Sequence, residues 1–164
     1  MNKKAEKLND FLVKNNLSAK GHVVPNDPLE TVYVTLGSVH GLEYHIQFDS
    51  SPIVGIKGIL ARNVDPNFEG LLALLNKLSA KYKTHSYLVD GEGFLCVSFM
   101  SLFTDETFDS DLFVDFCTLV DQAVADDLPE IFELLGLEIP EGFSPKVEEP
   151  EIKAETDASE ALGE

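Results

Sequence analysis

At 164 residues, with 44% hydrophobic residues, 11 phenylalanines and a mean hydropathy of -0.01, the chain has material for one ordinary domain core. It lacks the apolar run of roughly 18 residues that a membrane-spanning helix needs. The formal net charge of -17 lies entirely in 105–164, where 19 acids face two lysines, whereas 1–104 balance ten Lys/Arg against ten Asp/Glu. That balance argues against nucleic acid, whose phosphates are gripped by Lys and Arg displacing counterions, and against a grip on an anionic membrane.

A first helix is expected over Lys3 to Asn16, with Ala5, Leu8, Phe11 and Leu12 as its apolar stripe. Lysines open the chain as in a secretory signal, but Glu6, Asp10 and Lys14 break the apolar stretch, so the chain is expected to remain cytoplasmic. The proline-bearing stretch VVPNDP reads as a loop leading to the sheet.

Three strands follow. TVYVTL places Val32, Val34 and Leu36 on one face. LEYHIQFD places Leu42, Tyr44, Ile46 and Phe48 inward and Glu43, His45, Gln47 and Asp49 outward, the alternation of a half-buried antiparallel strand. IVGIKGILARN is the third, and Gly55 and Gly58 within it mark a bulge or a close backbone approach.

Asp65 as cap and Pro66 in the first turn open a second helix, in which Phe68, Leu71, Leu72, Leu75, Leu78 and Tyr82 recur at three- and four-residue steps. HSYLVD and GFLCVSFMSL then form a hairpin through Asp90-Gly-Glu-Gly93. Cys96 and Cys117 sit in apolar patterns and read as buried small hydrophobes of a reducing compartment.

The stretch FDSDLFVDFCTLVDQAVADD reads as the last long helix, apolar along Leu112, Phe113, Phe116, Leu119, Val120, Ala123 and Val124. It carries six aspartates and no lysine or arginine. Asp105, Asp109 and Asp111 fall where carboxylates cap amides and meet the favourable end of the dipole. Asp115 and Asp121 read as solvated, and Asp126 or Asp127 as the cap of a separate short helix, LPEIFELLG, that starts near Pro129. Residues 1–140 then form a single α+β domain in the order α-β-β-β-α-β-β-α, an antiparallel sheet packed by helices. Residues 141–164 read as a disordered acidic tail.

This order resembles the type III secretion chaperone-like fold. Within it, LLNKLSAKYKTHSYLVDGEGFLCVSFMSL followed by FVDFCTLVDQAVADDLPEIFELLG is similar to the bacterial YbjN family of sensory-transduction regulators. The features that carry the likeness are Asn76 in a helix, Asp90-Gly91 at a turn, and Phe113 with Phe116 in the last helix. The resemblance implies a small acidic protein, often homodimeric, that acts by holding other proteins.

No motif supplies catalytic chemistry. GxGxxG and GK[ST] loops, a calcium-hand spacing and a G-x-S-x-G setting are all missing. His22, His40, His45 and His85 read as surface histidines, and no metal or cofactor site is expected. The expected function is that of a non-enzymatic regulator or chaperone-like protein, homodimeric, binding a basic or amphipathic polypeptide. Asp111, Asp115, Phe116 and Asp126 are the candidate contacts. A small-molecule sensor with a pocket near Gly55, Gly58 and Tyr82 is the alternative, and a DNA mimic whose carboxylates imitate phosphates is a third.

Overall fold

The computed structural model describes residues 2–17 and 19–139. The expected tail at 141–164 lies outside the described residues. Helix α1 (Lys3–Lys14) is followed by four strands, β1 (Lys20–Val23), β2 (Val32–Gly37), β3 (Glu43–Phe48) and β4 (Ile53–Ala61). Helix α2 (Leu71–Ser79), strands β5 (His85–Val89) and β6 (Leu95–Leu102), and helix α3 (Ser110–Leu135) complete the chain. The fold is α+β, as the sequence patterns require, with one strand more than they reveal. Strand β1 is only four residues long and exposed throughout, so it carries no alternation to detect.

The strands form one antiparallel sheet in the order β1-β2-β3-β4-β6-β5. Val32, Val34, Tyr44, Ile46, Phe48, Val54, Ile56, Val97 and Phe99 face one side, and all are buried in a single core with residues of the three helices. Among the described residues, helices therefore cover one face of the sheet and leave the other open. Met100 and Leu102, 71% and 77% exposed, lie on that open face opposite Gly55 and Ile53.

Side chains of α1 fasten it to the sheet. Asn2 caps the helix by accepting from the Lys4 and Ala5 amides, while its own amide donates to the Asp49 carbonyl at 2.8 Å. Lys4 is buried and its ammonium donates to the Ser51 carbonyl.

Gly58 is a close approach: a Cβ built there would lie 2.7 Å from Tyr44 Cε1 and 2.9 Å from Val97 Cγ1. The irregularity of β4 falls instead between Ile59 and Ala61. Gly55 meets nothing within 4 Å. At the β5–β6 turn the positive φ belongs to Gly93 (78°) and not to Gly91, and the Asp90 carboxylate accepts from the Glu92 and Phe94 amides. The free edge of β5 is partly closed by Ser79, whose hydroxyl accepts from the Tyr87 amide at 2.9 Å.

Two helices depart from their expected limits. Helix α2 starts at Leu71 behind Gly70, whose φ of 81° prevents backward extension. Asp65 and Pro66 instead form a turn in which the Asp65 side chain accepts from the Asn67 amide. Helix α3 runs unbroken through Pro129 for 26 residues, so no separate terminal helix exists and neither Asp126 nor Asp127 is a cap. An interior proline removes one helical hydrogen bond. Continuity is held by burial on both sides, of Val124, Ala125 and Leu128 before it and Ile131 and Phe132 after it.

Candidate functional site

Helix α3 presents two chemically different faces, and both carry aspartates. Its inner face meets the sheet through aromatic packing at the start. Phe113 lies 5.4 Å from Phe108 and 6.0 Å from Phe48 between ring centroids, and Phe103 and Phe108 meet edge-on.

Further along the same face stand two buried carboxylates. Asp121 accepts from the Tyr44 hydroxyl at 2.9 Å and pairs with His40 Nδ1 at 2.6 Å. Asp127 accepts from the Tyr87 hydroxyl at 3.0 Å and from the Lys81 ammonium at 2.8 Å. Each pair repeats one device: a helix carboxylate takes a phenol from an inward strand position and a basic group from a neighbouring loop. The reading of Asp121 as solvated is corrected, because burying a carboxylate is tolerable only with such partners.

These environments shift the partners as expected. Burial first, and then the adjacent carboxylate, raises both tyrosines above the ordinary phenol range. The hydrogen bond to Asp127 raises Lys81. Burial, with the Asp121 charge beside it, pushes the Cys117 thiol up to about 12, so it is protonated at neutral pH.

The outer face of α3 has a different composition. Leu112, Asp115, Leu119, Gln122 and Asp126 follow one another at alternating three- and four-residue steps, which keeps them on one stripe. Leu112 and Leu119 are 59% and 71% exposed, so they do not belong to the core-facing stripe expected of them. Asp111, Asp115 and Asp126 are exposed alongside them. Asp109 caps the helix by accepting from the Leu112 amide, and Gln122 donates to Asp126 at 3.2 Å. Phe116, expected among the contact residues, turns inward with its ring 5.4 Å from that of Phe99. Glu130 and Glu133 extend the negative face, with Lys77 bonded to Glu130 at 2.6 Å.

Between the two faces lies a cleft of about 200 Å³, bounded by α3, the β2–β3 hairpin and Leu17. Leu36, Val39 and Val114 supply apolar wall, while Tyr44, Cys117, Thr118 and Asp121 bring polar atoms. Ser38 shapes the hairpin by accepting from the His40 and Leu42 amides, which holds His40 over Asp121. This cleft lies between sheet and helix, away from the expected place near Gly55, Gly58 and Tyr82; a second cavity, of about 280 Å³, lies between α1 and the β1–β2 edge. Gly58 is filled by the Tyr44 ring, and Gly55 lies on the open face.

Of the histidines expected at the surface, His85 is buried in the described residues. It stacks on Tyr82 at 4.5 Å, and its Nε2 has no hydrogen-bond partner among the described residues. Burial lowers its pKa. Among the described residues, no three His, Cys, Asp or Glu side chains converge to hold a metal ion, and no helix is long and apolar enough to cross a membrane.

Comparison with family models, curated proteins and solved structures finds no match to this chain.

Proposed function

We propose that this protein is a non-enzymatic regulatory or chaperone-like protein that binds a basic, amphipathic polypeptide segment along the outer face of α3. One observation carries the reading: two leucines seven residues apart are left in solvent on a helix face whose other groups are carboxylates or an amide. Exposed leucines at helical spacing offer apolar anchoring. The carboxylates around them select positive charge and accelerate encounter with it. No lysine or arginine occurs between Lys83 and Lys146, and Lys77 and Lys81, which reach α3 from elsewhere, pair with Glu130 and Asp127 in its C-terminal third, away from Leu112 and Leu119.

The spacing favours a polypeptide over imitation of DNA. Along the helix axis Asp111 and Asp115 are about 6 Å apart, but Asp115 and Asp126 are about 16 Å apart with Leu119 between them. A ladder of phosphates has no such apolar interruption.

The YbjN-like layout and the reducing-compartment reading of Cys96 and Cys117 support a cytoplasmic setting. A homodimer completes the proposal, with a second copy covering the open face of the sheet where Ile53, Met100 and Leu102 are exposed. Sedimentation of wild type and Met100→Lys/Leu102→Lys tests it. A dimer converted to monomer supports that face, and a wild-type monomer rejects the dimer.

The binding proposal is tested by titrating a synthetic helical peptide of leucines and lysines into wild type and into Leu112→Ser/Leu119→Ser. Loss of about tenfold in affinity on removing the leucines is expected. Equal affinity for both proteins would reduce the interaction to unspecific charge and reject the site.

A further inference from the structure

The cleft beside Asp121 is a second site, separate from the outer face of α3, and it stands whether or not that face binds a polypeptide. Its size limits what enters. A cavity of about 150 Å³ holds benzene, so about 200 Å³ takes an aromatic ring or branched alkyl group with a short stem. Leu17, Leu36, Val39 and Val114 provide the apolar surface for such a body.

The polar end of the occupant is set by charge. Among the described residues lining the cleft, Asp121 is the one with a formal charge. Its carboxylate has about four acceptor positions. The Tyr44 hydroxyl and His40 Nδ1 are its two hydrogen-bond partners there, which leaves capacity for further donors. At its Asp121 end the cleft is therefore an acceptor site. An ammonium group matches it, and a carboxylate or phosphate meets repulsion.

We propose that this cleft binds a compact primary amine with an aromatic or branched apolar body, its ammonium directed to Asp121 and its body between Leu36, Val39 and Val114. The protein would then sense small amines independently of its polypeptide partner. Cys117 adds a polarizable wall in this arrangement and takes no covalent part.

The test is calorimetric titration of the full-length protein with 2-phenylethylamine, with 2-phenylethanol as neutral counterpart and 3-phenylpropionate as anionic counterpart. The amine is expected to bind at least about tenfold more tightly than the alcohol, and the anion not to bind. Asp121→Asn should erase the preference for the amine. Val39→Trp, a substitution at an exposed hairpin position, should block both the amine and the alcohol without touching the core. Should Asp121→Asn fail to fold, the comparison of the three compounds on wild type and on Val39→Trp still decides. Equal binding of amine and alcohol, binding that survives Val39→Trp, or no binding of the amine would each overturn the proposal.

Discussion

The Tyr44 hydroxyl donates to Asp121 at 2.9 Å across the packed layer between β3 and α3, from residues 77 positions apart in the chain. It ties the middle of the acidic helix to the sheet and fixes one wall of the cleft. Tyr44→Phe removes one donor from a buried carboxylate and should cost about 1–2 kcal/mol in urea unfolding. A double-mutant cycle with Asp121→Asn should return a coupling of at least about 0.5 kcal/mol. Additive effects would mean that the hydrogen bond contributes nothing of its own.

The companion pair is expected to respond unequally to its two partners. Tyr87→Phe leaves Asp127 with the Lys81 ammonium, whereas Lys81→Met leaves a buried carboxylate with one neutral donor. Both hydrogen bonds go to a charged acceptor and contribute about 1.5–3 kcal/mol each, but only the ammonium also neutralises the buried carboxylate. Lys81→Met should therefore destabilise more than Tyr87→Phe, although Lys81 is half-exposed and part of its effect is screened. The reverse order in chemical denaturation would show that the ammonium is spectator to the pair.

At Gly58 the Tyr44 and Val97 side chains occupy the space a methyl group would need. Gly58→Ala should destabilise by about 1–3 kcal/mol, while Gly55→Ala, which meets open space on the opposite face, should be close to neutral. Similar effects at the two glycines would remove the close approach as the reason for Gly58.

His85 gives the protein a pH dependence of definite sign. Its folded pKa lies below the ordinary value of 6.5 because burial disfavours the cation. The unfolded chain then binds more protons in mild acid. Stability falls as pH drops below about 6.5, and this group adds no slope above it. His85→Phe keeps an aromatic ring beside Tyr82 and removes the unpartnered nitrogen. It should shrink the stability difference between about pH 5 and about pH 7.5. An unchanged difference would assign the pH dependence to other groups.

Pro129 breaks the hydrogen-bond ladder inside a helix that continues on both sides. Pro129→Ala restores a donor and should raise the melting temperature, by an amount reflecting about 1–3 kcal/mol. A lowered melting temperature would indicate that the proline is needed by the packing around it.

Most strands of this fold were legible through their alternation. Tyr44, Ile46 and Phe48 face inward in β3 as the pattern demands, whereas β1 is short and unburied, and β6 buries Cys96 between Leu95 and Val97. Helix limits were less legible. Gly70 stops α2 by its backbone conformation, while Asp65-Pro66, a stronger start signal in sequence, makes a turn. In α3 the periodicity alone could not separate outward Leu112 and Leu119 from inward Phe113 and Val120. Nor could it separate buried Asp121 and Asp127 from exposed Asp115 and Asp126. The inward aspartates are recognised only through Tyr44, His40, Tyr87 and Lys81, which come from distant parts of the chain. One hint was present: at six residues apart, Asp121 and Asp127 fall to either side of the inward stripe. Nothing in the sequence placed tyrosines opposite them.

The proposed binding of a basic polypeptide to the leucine-bearing acidic face of α3 can be mapped residue by residue. Amide chemical-shift mapping with the leucine–lysine peptide at about 50 mM and about 300 mM salt tests it most directly. Shifts are expected to concentrate at Asp111, Leu112, Asp115, Leu119 and Asp126, with the same residues affected but affinity lower at the higher salt. Shifts centred on the open face around Met100 and Leu102, or spread evenly over every acidic residue, would contradict it.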